Sequence, residues 1–462
     1  MNDKQQTIQN SVSLSGIGLH TGVKANLTIN PADEDHGIKF QRIDLEGQPL
    51  INCDVDNVTT VARGTTLEQN GGSISTVEHL LASLVGLQID NVVIQIDGPE
   101  IPIMDGSAKP FVNAILAVGL KGQNAKRHYL EIEEGINYVD EERKVEISIL
   151  PSSDYRVTVM VDYNSPVLGS QHATLNDINY FAEDISECRT FCFFHELEFL
   201  HKQGLIKGGD VDNAIVVVDR PVAEDELKDL STLLNKKNLK VGKEGFLNNI
   251  ELRYPNEPAR HKLLDVMGDL ALVGRPIKGH ILAARPGHKA NVEFAKMIKS
   301  TIKKQKNKAP KYNPNVPPIL TSAEIYKLLP HDHPFRLVDK IVHLDEKTVV
   351  GVKNVTINEP VFTGHFPGNP VFPGVMLLET IAQVGGIFAL NTVDDPSDYW
   401  TYFLGVKECK WRAMVTPGDT VVIECTLLVP IRRGIATMMG KAYVGDKLVC
   451  QVEIMASIVK KS

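Results

Sequence analysis

The chain holds 462 residues, 43% hydrophobic and 23% charged, a balance that excludes a disordered or fibrous protein. Its length allows about three domains. A net charge of −8 gives no reason to expect nucleic acid as a partner and suits a cytoplasmic enzyme.

Met1 to Asn10 is polar and lacks the apolar run of a signal peptide. No run of about 18 apolar residues occurs, so no transmembrane helix is expected. The six cysteines form no CxxC pair, which fits a reducing compartment. Strand-like runs fall at Asn91 to Ile96, Val145 to Leu150, Arg156 to Val161 and Ala214 to Val218. Helix-like runs accompany them, among them Lys109 to Val118. The fold class is therefore α+β. The polar stretch KGQNAKR at 121–127 reads as a soft break, which gives domains at 1–126 and 127–302. No internal repeat is visible. A sharper boundary is KKQKNKAPKYNPNVPP at 303–318, with five lysines, four prolines and no acid. It reads as an extended, solvated linker able to span up to about 50 Å. A last domain follows at 319–462.

Chemistry begins at Ser75-Thr76-Val77-Glu78-His79. Val77, Leu80, Leu81 and Leu84 recur with helical spacing, and Gly86 marks a stop. Ser75 and Glu78 match a capping box, which needs no function. His79 lies about 200° from Val77 on the helical wheel, off the apolar stripe. A second helix is expected around His261 to Leu270. Its apolar face is Leu263, Leu264, Met267 and Leu270, while His261, Asp265 and Asp269 follow one another a turn apart on another face. For His261 and Asp265 alone an exposed i, i+4 ion pair is the commoner explanation, though Asp269 and Lys262 make a plain solvent face less tidy. Taken together, His79, His261 and Asp265 would give zinc three protein ligands and leave the open position of a catalytic site. Glu78 would then be the general base. His288, after Arg285-Pro286-Gly287, either protonates a leaving amine or is a plain loop histidine.

TVEHL at 76–80, PEIPIMDGSAKPFV at 99–112, RTF at 189–191, HKLLDVMGDL at 261–270 and RPGHKANVEFA at 285–295 together resemble one family. It is the zinc-dependent UDP-3-O-acyl-N-acetylglucosamine deacetylase of lipid A synthesis. The resemblance implies two similarly folded α+β domains with the active site between them. It implies His79, His261 and Asp265 as zinc ligands, Glu78 as base, and His288 as stabiliser or general acid oriented by Asp269. Thr190 would hydrogen-bond the developing oxyanion, and Lys262 would contact the diphosphate. One departure is Pro258, where the family usually carries phenylalanine three residues before the histidine. It bears on substrate contacts upstream of His261, not on the ligands. The segment HELEFLHKQGLIKGG at 195–209 either lines an acyl passage or forms an ordinary amphipathic helix. Mixed nitrogen and oxygen ligands also accept iron(II) or cobalt.

Further on, FTGHFPGNPVFPGVMLLE at 362–379 is a stiff loop of glycines and prolines. It feeds a near-apolar helix from Val375 to Leu390, which should be buried. Desolvation would raise the Glu379 carboxyl on that helix and suit it to act as an acid. Gln383, one turn on, could hydrogen-bond it. His365 suits a base that removes an α-proton as a β-hydroxyl departs. Backbone N–H groups at the helix start, including Gly374, could polarise a thioester carbonyl.

LPHDHPFRLVDK at 329–340 and GHFPGNPVFPGVMLLE at 364–379 resemble the (3R)-hydroxyacyl-acyl-carrier-protein dehydratases of fatty-acid synthesis. That resemblance implies a hot-dog fold, an antiparallel sheet wrapped around a central helix. It also implies that His365 and Glu379 come from opposite subunits of a homodimer, with dimers usually assembling into hexamers. The whole chain is then a two-enzyme fusion. Its partners are the UDP-linked sugar and acyl carrier protein bearing 3-hydroxyacyl chains. One rival is a hot-dog thioesterase, against which the His365 and Glu379 pair argues because hydrolysis needs an attacking water. The other is a half that merely binds acyl ligands or scaffolds an oligomer.

Overall fold

The computed structural model describes residues 3–62, 64–197, 213–233, 239–242, 244–247, 251–305 and 309–461. Most of the 195–209 segment lies outside them. Lys24–Pro31, Tyr155–Asp162 and Ile277–Ala284 alternate buried and exposed residues, as strands with one face on a core must. Such strands build two sheets within the first compact unit, Met1–Ile302.

The first sheet sets the hairpin Val12–Ile17 and Lys24–Pro31 against Val92–Ile96, then Ile38–Arg42 and Leu50–Asn52. The second sets the hairpin Ile136–Asp140 and Val145–Leu150 against Ile277–Ala284, then Tyr155–Asp162 and Ser170–Leu175. In both, the late strand runs antiparallel to the first hairpin and parallel to the second. The two halves are thus one topology used twice, a repeat not visible in the sequence. In each half a helix precedes the late strand: Glu78–Gly86 in the first, Glu257–Leu270 in the second. Another follows it: Lys109–Val118 and His288–Gln305. One core joins the halves, with Leu27, Phe40, Leu81, Val157, Leu264 and Ile281 all buried in it.

The stretch read as a soft break is instead part of strand Leu120–Lys126, antiparallel to Lys4–Ile8. Its polar residues alternate toward solvent, which hid the strand. The linker reading also needs correction at its start, because the His288 helix runs on to Gln305. Pro258 falls in the first turn of its helix, where no intrahelical N–H bond is lost.

The second compact unit is Lys303–Ser462. Its sheet has six strands, ordered Lys340–Leu344, Thr348–Asn354, Thr420–Arg432, Ile435–Val444, Lys447–Lys460, Tyr399–Trp411, all antiparallel. Helix Gly374–Leu390 packs against the last five of these and buries Leu377, Ile381, Val384, Ile387 and Phe388. This is the helix-on-sheet arrangement of a hot-dog. The short helix Ser322–Leu328 starts at a full capping box between Thr321 and Glu324.

In the first unit the two pre-strand helices cross in direct contact. Gly268 makes that crossing possible, since a Cβ there would collide with the backbone carbonyl of Glu78. Gly268→Ala should therefore force the helices apart. We expect a loss of about 1–3 kcal/mol in unfolding free energy, together with weaker metal binding. Denaturant melts and metal titration check this; a variant matching the parent in both would contradict the close-packing argument.

Candidate active sites

The helix crossing gathers side chains from both halves. Glu78 and His79 open the first helix, and His261, Asp265 and Asp269 line the second. All five are at most 5% exposed, so the exposed ion pair weighed for His261 and Asp265 does not apply. The helix they share is covered by strands Tyr155–Asp162 and Ser170–Leu175 and by the Glu78 helix. The capping box also gives way. The helix begins at Glu78 with no side-chain cap, and Glu78 Oε2 instead accepts from the Thr65 backbone N–H at 3.0 Å.

One ligand atom each from His79, His261 and Asp265 lies within 4.8 Å of the others. Asp265 Oδ1 stands 3.4 Å from His261 Nε2 and 3.8 Å from His79 Nε2. That oxygen is buried and accepts no hydrogen bond, an expensive state for a carboxylate unless a cation belongs there. The other oxygen of Asp265 takes Lys262 Nζ at 3.0 Å. His261 Nδ1 sits 3.0 Å from the Cys188 carbonyl, which leaves Nε2 unprotonated for a metal. The residues therefore fit a divalent cation: two imidazoles, one carboxylate and an orphaned acceptor between them.

Glu78 and His288 flank this cluster. His288 begins its helix, and its Nε2 is 3.9 Å from Glu78 Oε1. Its Nδ1 donates to Asp269 Oδ2 at 2.9 Å. Sequence reasoning missed two supports. Thr65 Oγ1 donates to Asp269 Oδ1 at 2.6 Å, and Asn291 Nδ2 donates to Oδ2 at 2.8 Å. Neither residue carries a local signal that sets it apart. Thr190 is held by its backbone, bonded to Gly106 and Ile215. Its neighbour Phe191 packs edge-on against the His261 ring. The preceding Arg189 is buried against Glu257 at 2.9 Å.

Burial sets the titration of the cluster. It pushes the Glu78 carboxyl up to about 7, opposed by His288 and reinforced by Asp269. It pushes His79 down to about 3, with His261 adding to the effect, and it lowers His261 as well. Burial also opposes the charge on Asp265, yet His261 and Lys262 hold that carboxyl well below the usual range. His288 goes the other way: burial works against its charge, but the Asp269 and Glu78 carboxylates lift it to about 10. Neutral imidazoles, an ionised aspartate and a protonated histidine therefore coexist near neutral pH.

A stability consequence follows for the metal-free protein. His288 binds its proton more tightly folded than unfolded, so its contribution is fully present below about 6.5 and lost as pH rises through about 10. The unfolding midpoint of the first unit should fall across that window, and His288→Gln should flatten the fall. Equal slopes for parent and variant would remove His288 as the cause.

In the second unit, His365 Nδ1 is 2.8 Å from the Val371 carbonyl, and the ring stacks on Phe366. Glu379 lies on the buried helix, but its side chain is 20% exposed rather than enclosed. Its Oε1 accepts from Gln383 Nε2 at 3.0 Å, the contact anticipated from spacing. Gln383 is fixed in turn by the Phe335 carbonyl and the Leu337 N–H. A further partner was missed: His331 Nε2, 3.3 Å from Glu379 Oε1. Its only sequence signal is a place in the LPHDHPFRLVDK stretch. Glu379 and His331 open a cleft lined further in by Ala382, Gly386, Met438 and Ile454. Among the described residues of one chain, no hydrogen bond or ion pair joins His365 to Glu379. Gly374 starts the helix, and its carbonyl accepts from Trp411 Nε1 at 2.9 Å.

Each site falls within a family that the chain matches. Residues 5–232 and 230–300 match LpxC, the UDP-3-O-acyl N-acetylglycosamine deacetylase family. Residues 329–453 match the FabA-like domain. The class is thus a metal-dependent deacetylase joined to a hot-dog dehydratase. Over 457 residues the chain is 48% identical to the bifunctional enzyme LpxC/FabZ of Bacteroides thetaiotaomicron, and the match covers 99% of each. The Porphyromonas gingivalis enzyme of that name is 47% identical over 457 residues, and that of Chlorobaculum tepidum 46% over 463, again with 99% of each covered. The chain belongs to this family of bifunctional LpxC/FabZ enzymes of lipid A and fatty-acid biosynthesis. Among its described residues, no helix is long and apolar enough to cross a membrane.

Proposed function

We propose that the first unit hydrolyses the N-acetyl group of UDP-3-O-(3-hydroxyacyl)-N-acetylglucosamine, with zinc held by His79, His261 and Asp265. The observation that carries this reading is the orphaned Asp265 oxygen between two neutral imidazoles. When bound, zinc supplies a Lewis acid for the acetamide carbonyl and makes water more acidic. Glu78 takes the proton of the attacking water. Its raised pKa suits a base that must also release that proton. Protonated His288 stabilises the developing negative charge and gives its Nε2 proton to the leaving amine. Asp269 holds the His288 ring through Nδ1, and Thr65 ties Asp269 and Glu78 to one backbone segment. Lys262 neutralises Asp265 and meets the diphosphate, while Thr190 donates to the oxyanion. Residues 1–126 and 127–302 would be the two deacetylase domains, and the chain between the end of the His288 helix at Gln305 and residue 318 the tether to 319–462.

For the second unit the proposed reaction is dehydration of (3R)-hydroxyacyl-carrier protein to the trans-2-enoyl thioester. With Nδ1 donating to Val371, His365 keeps Nε2 free to accept the α-proton. Glu379 protonates the departing hydroxyl, and the Gly374 N–H polarises the thioester carbonyl. A second copy would bring its His365 to this chain's Glu379. The edge strand Tyr399–Trp411 supports that pairing, since Tyr402, Leu404, Val406 and Trp411 are exposed along it. The cytoplasm is the compartment that both carrier-protein and nucleotide-sugar substrates imply.

The test of the first reading is acetate release by the full-length protein before and after metal stripping. Activity lost on stripping and returned by zinc supports it; no release from zinc-loaded enzyme sinks it. Iron(II) and cobalt reloading rank the metals. The modules should also separate. We expect His365→Ala to lower dehydration about 10²–10⁴-fold and leave deacetylation intact, and His261→Ala to do the reverse. Loss of both activities in either variant would mean coupled folding and end the independent-module reading.

A further inference from the structure

A half-open pocket of about 290 Å³ lies in the first unit, and none of the metal-cluster residues lines it. Lys39 and Val85 stand on one wall, from the first half; Ile178, Leu270 and Arg275 stand on the other, from the second. Asp90 and Arg127 are also in the lining and tie to each other at 2.8 Å.

The charges on these walls do not cancel. Arg127 is neutralised by Asp90, and the wall's other acid, Asp54, is taken by Lys299. Arg275 is held only by neutral carbonyls, those of His128 and Tyr129, at 3.0 and 2.8 Å. Lys39 makes no ion pair among the described residues. His36, also in the lining, has its Nε2 buried without a hydrogen-bond partner. Two unneutralised cations and an orphaned ring nitrogen thus surround one space. A buried ring nitrogen normally has a partner, and an anionic ligand would give His36 one while meeting the two cations. The remaining lining, Val85, Ile89, Ile178, Met267 and Leu270, is apolar.

The lining narrows the occupant, because it sets two cations and a ring nitrogen beside an apolar wall. Inorganic phosphate would leave the apolar wall bare. We propose that this pocket binds a small organic monoanion, its carboxylate on Lys39, Arg275 and His36 and its apolar body along Leu270 and Ile178. The ligand would brace the two halves against each other. It would also touch the end of the helix that carries His261 and Asp265, so its binding should raise the thermal transition of the first unit.

The test is calorimetric titration of octanoate into the full-length, metal-loaded protein. Octanol and inorganic phosphate serve as controls for the tail and the charge. Octanoate should bind more tightly than either. Lys39→Gln should weaken it about tenfold, and Ala271→Leu, which fills the lining beside Leu270, should abolish that binding. Both variants should keep the parent's basal deacetylation and dehydration rates. Octanoate affinity unchanged in both variants would place the ligand in another cleft and overturn the proposal. So would octanol binding as tightly as octanoate, which would leave no role for the cations, or phosphate doing so, which would leave none for the apolar wall.

Discussion

Two helices touch where Gly268 leaves no side chain between them and the carbonyl of Glu78. The helices occupy the same place in two copies of one topology, each just before the late central strand. That contact puts Glu78 and His79 of one half beside His261, Asp265 and Asp269 of the other. Neither half holds the cluster alone. The metal site is therefore a property of the packed pair, and its geometry is only as good as the helix crossing.

The cluster concentrates charge where charge is costly. Glu78, Asp265, Asp269, His288 and Lys262 meet at low exposure, and replacing such a group by hydrophobic residues would often stabilise a fold. The arrangement instead divides protonation states among neighbours. Asp265 stays ionised against its burial because the charged Lys262 and His288 lie near it. Glu78 is pushed up by burial, while His288 is raised by Asp269 and Glu78. A carboxyl and an imidazole, both with raised proton affinity, thus stand 3.9 Å apart. Strongly perturbed groups gathered beside one orphaned oxygen are better explained by chemistry than by stability.

What the sequence disclosed depended on the range of the interaction. The i, i+4 pairs His261–Asp265 and Glu379–Gln383 were legible because helical spacing alone brings them together. The α+β class and strands such as Val145–Leu150 were legible from local alternation. Thr65 was not, since its bond to Asp269 spans 204 positions. The same residue explains the failed capping box: Thr65 takes the Glu78 carboxylate that a local pattern assigned to Ser75. The repeat was hidden for a related reason. Each late strand inserts between hairpins formed long before it in the chain, so the likeness resides in strand order and not in residue identity. Strand Leu120–Lys126 was lost because an exposed, polar strand composition imitates a loop.

Glu78 and Glu379 show how the same residue type is prepared differently by its surroundings. Glu78 lies among other acids and is enclosed, so its proton affinity is set by the loss of water and by Asp269 and Asp265. Glu379 opens onto a cleft and is steered by an amide and an imidazole, Gln383 and His331. A carboxylate that works beside a metal needs a fixed place among fixed charges. One that lines an open cleft is reached from solvent. The near-apolar helix provides both anchoring and opening: Ile381 and Val384 bury one side in the sheet, which leaves Glu379 at the mouth of the cleft that Gly386 and Met438 continue inward.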